Sequence, residues 1–97
     1  MFWSKTFNSS KERIVAICDE ELLGKTLRQG KLQVTITESF YGGCKVDEAT
    51  AKDMMKKSTS GNLFGKRIVE LAEEAGFITK KSVIVIDGIP HAQFIRV

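Results

Sequence analysis

The stretch 13-RIVAIC-18 decides the architecture. It is a continuous apolar run with β-branched Ile14, Val15 and Ile17, and it follows the polar turn cluster 8-NSSKE-12. A short run without polar alternation reads as a central strand covered on both faces. The aromatic segment before it, 1-MFWSKTF-7, reads as a first strand that pairs with it as a hairpin. A sheet therefore organises the chain, and the remaining segments have to cover it.

Working outward, Asp19 reads as the N-cap of a short helix over 20-EELLGKTLR-28. Glu20 and Glu21 would lie in its first turn and Gly30 would end it. The segment 31-KLQVTITES-39 alternates, with Leu32, Val34 and Ile36 facing one way, which predicts a half-exposed strand. A loop, 40-FYGGCKV-46, follows. Asp47 starts a second helix over 48–58, with Ala51, Met54, Met55 and Ser58 inward and Lys52, Lys56 and Lys57 outward. The stretch 58-STSGN-62 breaks it. A third helix over 63–75 buries Phe64, Ile68, Leu71, Ala72 and Ala75, and Gly76-Phe77 caps its end. Two strands, 82–87 and 92–97, close the chain through a turn at Gly88-Ile89-Pro90-His91. The expected fold is α+β: one mixed sheet of about five strands with three helices, in the order β-β-α-β-α-α-β-β, forming a single domain over residues 1–97.

Composition narrows the function classes. A net charge of +3 is mildly basic and compatible with nucleic acid without demanding it. No apolar window is long enough to span a membrane, and the start carries no signal-peptide run, so a cytoplasmic location is expected. Cys18 lies in an apolar run and reads as a buried hydrophobe. Cys44 lies in a loop, and a disulfide between the two is not expected. With one histidine and no Cys-x-x-Cys, no metal and no cofactor are expected.

Three places carry candidate chemistry. The stretch 61-GNLFGKR-67 is not a phosphate loop: it has three residues between the glycines, and Arg67 stands where a hydroxyl is required. A weaker reading has Ser60, Asn62, Lys66 and Arg67 holding one phosphate at the start of the third helix. The alternative is Asn62 as a plain N-cap with two solvated cations. In 38-ESFYGG-43, Phe40 or Tyr41 could stack on a base beside the permissive Gly42 and Gly43, or pack over a sheet edge. His91 reads as a structural residue bonded to backbone in the Ile89–Ala92 turn. As a base it would need the nucleophile Cys44 close by, and Asp87, four residues before it, could orient its ring across the turn.

Taken together, 17-ICDEELLGKTLRQGKL-32, 39-SFYGG-43, 62-NLFGKRIVELAEEAG-76 and 88-GIPHAQFIRV-97 resemble a family of small archaeal proteins. That family is catalogued as domain of unknown function four hundred and twenty-four. The resemblance covers the chain from about Arg13 onward. It implies an archaeal, cytoplasmic protein linked with translation, with no established reaction. Its pattern falls on Ser39, Phe40, Tyr41, Gly42, Gly43, Asn62, Gly65, Gly88, Pro90, His91, Gln93 and Phe94.

The expected function is therefore binding of ribosomal or other structured RNA, without catalysis. The RNA-binding set would be Phe40, Tyr41, Gly42, Gly43, Ser60, Asn62, Lys66, Arg67, His91 and Gln93. Two alternatives stand beside it. One is a protein-interaction subunit anchored by Met1–Trp3. The other is a small enzyme using His91, Asp87 or Cys44.

Overall fold

The computed structural model describes residues 1–96 of the chain. The expected last strand residue, Val97, lies outside the described residues. The fold is α+β. A mixed sheet of six strands has the order β5-β1-β2-β6-β8-β7, and a separate hairpin is formed by β3 and β4. The strands are β1 (Phe2–Asn8), β2 (Arg13–Asp19), β3 (Thr26–Gln29), β4 (Leu32–Thr35), β5 (Cys44–Val46), β6 (Ser60–Phe64), β7 (Ile84–Ile86) and β8 (Ile89–Ile95). The helices are α1 (Glu38–Tyr41), α2 (Glu48–Lys56) and α3 (Lys66–Glu74). No helix among the described residues is long and apolar enough to cross a membrane.

Strand β2 is central, as its sequence predicts. It pairs antiparallel with β1 and parallel with β6, and Val15, Ala16, Ile17 and Cys18 are fully buried. Alternation sends Val15 and Ile17 to one face and Ala16 and Cys18 to the other. On the first face they join Leu63 of β6 and Phe94 of β8, and meet α2 through Ala51 and Met55 and α3 through Ile68, Leu71 and Ala72. On the second they meet Leu27 and Ile36 of the hairpin region, Tyr41 of α1, Phe64 and Ile86. The molecule thus has three layers, with the two longer helices on one side only.

Several expectations are corrected. The segment 20–28 is not a helix: a single 3-10 turn, Glu20–Leu22, leads into β3. Gly30 does not end a helix. Its positive φ of 61° places it first in the two-residue turn between β3 and β4, where a mirror-image turn matches the strand twist. The 40–46 loop holds the end of α1 and β5. The supposed helix breaker at 58–62 contains the start of β6; β5 and β6 join the main sheet, while the strand expected over 31–39, shortened to β4, leaves it for the separate hairpin with β3. Phe64 belongs to β6 and Ala75 is exposed, so neither is on the buried stripe of α3. Ile89, Pro90 and His91 belong to β8, and the last turn is Asp87-Gly88 alone. Both turn residues have positive φ, 52° and 76°, the geometry that favours Asp-Gly in a two-residue hairpin. Pro90 is tolerated in β8 because β6 has ended beside it. Its carbonyl still accepts from the Gly65 N–H at 2.9 Å.

Other elements follow the sequence. Asp47 caps α2, its Oδ1 accepting from the Thr50 N–H at 2.9 Å. Helix α3 ends in a Schellman motif: the Phe77 N–H bonds the Ala72 carbonyl and the Gly76 N–H the Glu73 carbonyl.

Candidate functional site

The start of α3 is occupied from within the chain. Asp19 is buried at the end of β2. Its Oδ2 accepts from the Arg67 N–H and its Oδ1 from the Ile68 N–H, both at 2.9 Å. This carboxylate does for α3 what the sequence assigned it to do for a helix at residue 20. Gly65 makes the approach possible. Its φ of 122° suits only glycine, and a Cβ there would overlap the Asp19 carboxylate. Burial raises the Asp19 pKa above its ordinary value, and the two amide bonds pull it back. The expected anion corner is therefore filled. Ser60 and Asn62 are not at a helix start but on β6.

Lys66 and Arg67 lie on the helix side of the sheet. The Arg67 Nη2 donates to the Met1 carbonyl at 2.6 Å, and its guanidinium covers the Phe2 ring at 4.8 Å. Phe2 is 2% exposed in the core and Trp3 is half-buried beneath the Lys45 ammonium. Phe2 and Trp3 are thus part of β1, while Met1 lies outside the strand and is exposed.

Ser60, Asn62, His91 and Gln93 come together on the opposite face. The registers run Phe7–Ile14–Ser60–Ile95, then Lys5–Ala16–Asn62–Gln93, then Trp3–Cys18–Phe64–His91–Ile84. The hairpin β3–β4 and α1 cover the third row over Cys18 and Phe64. Much of the first two rows is left open beyond β2. Ile95 is 82% exposed and Ile84 55% exposed, while Ser60 and Asn62 are half-exposed and Gln93 is exposed. Ser82, Ile84, His91, Ala92 and Gln93 line a shallow depression of about 280 Å³ here. The Gln93 Nε2 donates to the Asn62 Oδ1 at 2.7 Å. His91 stacks on Phe64 with centroids 4.2 Å apart, and its Nδ1 lies 2.9 Å from the Leu63 carbonyl. Only the tautomer with a proton on Nδ1 bonds that oxygen, so Nε2 keeps a lone pair. Burial lowers the His91 pKa, and the Leu63 bond offsets part of the effect. His91 is a backbone-bonded histidine, but its partner is the neighbouring strand and not its own turn.

The aromatic loop is mostly structural. Phe40 is half-buried and stacked on Phe7 at 5.2 Å, at the border of the open face. Tyr41 is buried against Phe64 at 6.2 Å, and burial raises its pKa. Gly42 and Gly43 let α1 turn back along β1: side chains there would meet the Glu38 carbonyl and the Ser4 carbonyl.

The end of the sheet supplies cations that sequence reasoning did not group together. Arg13, Thr59 and Arg96 lie side by side: the Thr59 N–H bonds the Arg13 carbonyl and the Arg96 N–H bonds the Thr59 carbonyl. The Arg96 guanidinium donates to the Lys56 carbonyl and packs over Phe77. Lys52, Lys56 and Lys57 of the α2 segment complete this end, with Asp53 pairing Lys57 at 2.9 Å. In sequence these residues are scattered over eighty positions, and only the β2-β6-β8 neighbourhood gathers them.

A nucleophile–base pair is not assembled. Cys44 is on edge strand β5 and His91 on β8, four strand spacings apart, or about 19 Å. Both cysteines are free, and burial pushes the Cys18 thiol up to about 12. Among the described residues, no group of three or more His, Cys, Asp or Glu is placed to hold a metal ion.

Comparison with known proteins places the chain. The crystal structure of an uncharacterized conserved protein from Methanopyrus kandleri is similar to it, with a TM-score of 0.80 at 21% identity, covering 99% of this chain and 93% of that one. At that identity the likeness concerns the fold alone. No curated protein matches. The sequence profile of one family, described as protein of unknown function (DUF424), matches residues 7–97, and the chain belongs to that family.

Proposed function

We propose that the protein is an RNA-binding component of the translation apparatus and carries out no reaction of its own. The observations that carry this reading are the half-open sheet face with Asn62, Gln93 and His91 and a separate cluster of Arg13, Arg96, Lys56 and Lys57 at one end of the sheet, on its helix side. Exposed polar and apolar side chains on a sheet offer bases a platform, and clustered cations meet phosphates. The link with translation rests on the family resemblance. Lys66 and Arg67, at the opposite end of the sheet, belong to neither. Tyr41 is buried.

The test is RNA affinity measured across a salt series, with sedimentation of lysate complexes before and after ribonuclease. Affinity should fall steeply with salt, because phosphate contacts release counterions. Lys52→Glu and Lys56→Glu alter exposed cations of that cluster that make no salt bridge among the described residues. Each lysine that meets a phosphate should, when reversed, reduce the log–log salt slope by about one. Salt-independent binding, or variants indistinguishable from wild type, would remove the basis of the proposal.

A further inference from the structure

We infer that the protein forms a two-fold symmetric dimer in which strand β7 pairs with the β7 of a second copy, antiparallel and centred on Val85. This does not depend on the RNA-binding reading above.

The two edges of the main sheet are finished differently. At one edge, β5 carries Lys45, whose ammonium pairs with Glu20 at 3.0 Å. A charged side chain on an edge strand discourages a further strand from adding there. At the other edge, β7 reads 84-IVI-86, with no charge and no proline. Its Ile84 and Val85 are 55% and 53% exposed and project to opposite faces of the sheet.

The hairpin register shows which main-chain groups are left over. Ile86 and Ile89 flank the Asp87-Gly88 turn, so they are the hydrogen-bonded pair that closes it. The next pair, Val85 with Pro90, is then a non-hydrogen-bonded one. Pro90 agrees: it has no N–H to give, and its carbonyl turns the other way, to the Gly65 N–H at 2.9 Å. The Val85 N–H and C=O therefore point outward from the edge, and neither bonds to another described residue. A donor and an acceptor presented outward on one residue are what an added strand takes up.

The residues around Val85 select a second copy as that strand. Ile-Val-Ile reads the same in both directions, so antiparallel pairing about Val85 sets Val85 against Val85 and Ile84 against Ile86. The two valines exchange two N–H···O bonds, and every cross-strand pair is apolar and β-branched. Charge has the matching order. Lys80 and Lys81 precede the strand and Asp87 follows it, so the basic end of each copy lies beside the acidic end of the other. On the helix side, a groove of about 710 Å³ runs between Val85 and α3, and its rim carries Lys66, Lys80, Glu70 and Glu73. None of these four is in a salt bridge among the described residues. A surface that meets itself across a two-fold axis needs both signs of charge, whereas a uniformly basic or acidic partner would leave half of this rim unpaired. The axis stands perpendicular to the sheet, so the two sheets join edge to edge with both helix layers on one side. The contact closes on itself and leaves the lysine-guarded β5 edges outside.

The experiment uses the full chain in sedimentation equilibrium over a range of concentrations, with exchange of the Val85 amide read by NMR at both ends of that range. The variants are Val85→Pro, Val85→Lys and Lys81→Glu. Val85→Pro removes an N–H that makes no bond within the chain, a change an edge strand tolerates. Val85→Lys sets two like charges face to face at the axis, and Lys81→Glu brings a second carboxylate beside Asp87 of the other copy. Melting curves at low concentration establish that each is folded. The wild-type mass should rise with concentration from one chain of 10.8 kDa to two, and stop there. The Val85 amide should become protected in step with it. The two Val85 variants should raise the dissociation constant about ten-fold or more, and Lys81→Glu should raise it by less. A chain that stays monomeric at every concentration would overturn the inference and leave the edge to a strand of another protein. A dimer unchanged in both Val85 variants, or one whose Val85 amide exchanges as in the monomer, would overturn it by placing the interface elsewhere. Growth beyond two chains would overturn the closed two-fold pairing.

Discussion

Asp19 shows how one residue can be read correctly in kind and wrongly in place. An aspartate before Glu-Glu-Leu-Leu looks like a local cap, yet its carboxylate closes α3, 48 and 49 residues away. Removing it leaves two amides at a buried helix start without an acceptor. Asp19→Ala should therefore destabilise by about 2–4 kcal/mol in denaturant unfolding, and Asp19→Asn by less. Gly65→Ala should be comparably harmful, through backbone strain and overlap with the same carboxylate. A neutral effect of either alanine would contradict the capping role. His91 gives a prediction in pH. Its folded pKa is lowered from 6.5 by burial, so the unfolded chain takes up the proton first as pH falls. Its contribution is complete above about 6.5 and is lost as pH drops from there toward the folded value. Wild-type stability should thus fall between pH 7 and pH 5 by a component that His91→Gln lacks. Parallel pH profiles for the two proteins would count against it. Asp19 titrates in both proteins and cancels from the comparison.

Elements differ in how much of themselves they show in sequence. The strand 13-RIVAIC-18, helix α2 with its Asp47 cap and the Gly76-Phe77 stop were legible because local chemistry and final environment agree. Strand β6 was hidden because its residues answer to distant partners. Gly61 is there since the Phe94 ring occupies the space of a Cβ, and Ser60 and Asn62 face the half-open side. Such a stretch carries loop composition in a central strand. The candidate site was therefore legible residue by residue, as Asn62, His91 and Gln93, but not as a surface. The hairpin β3–β4 is the opposite case, an exposed pair held by few contacts. Leu27 and Ile36 are buried, and beyond them the Asp87 N–H donates to Gln29 Oε1 at 2.8 Å and Asp87 Oδ2 accepts from the Arg28 N–H at 3.2 Å. An isolated hairpin is marginal alone, so its amides should exchange by local opening, well ahead of those in β2 and β6. Gln29→Ala removes one tie worth about 1 kcal/mol and should speed exchange over residues 26–35 by about five-fold. Protection of the hairpin equal to that of β2 would show it is not a separate unit.

At the scale of the whole molecule, β2 and β6 bind the layers together. Their alternate side chains enter both cores: Val15, Ile17 and Leu63 toward the helices, Ala16, Cys18 and Phe64 toward the hairpin and α1. The parallel pairing of these two strands joins segments more than forty residues apart, so the sheet cannot form piecewise along the chain. The helix layer and the sheet should therefore unfold as one. Leu63 sits fully buried on the axis of that unit, and Leu63→Ala should cost about 2–5 kcal/mol by leaving a cavity between β6 and α3. For a chain of this length that corresponds to a fall in melting temperature of about 10 °C or more. The informative comparison is between two probes. Far-ultraviolet circular dichroism follows the helices, and fluorescence of Trp3, the chain's one tryptophan, follows β1 at the other side of the sheet. Both should shift to the same lower midpoint, because the cavity weakens a unit they share. A variant in which the helical signal melts early while Trp3 keeps its wild-type midpoint would mean that the two halves of the sheet hold together independently, and that β2 and β6 do not couple them.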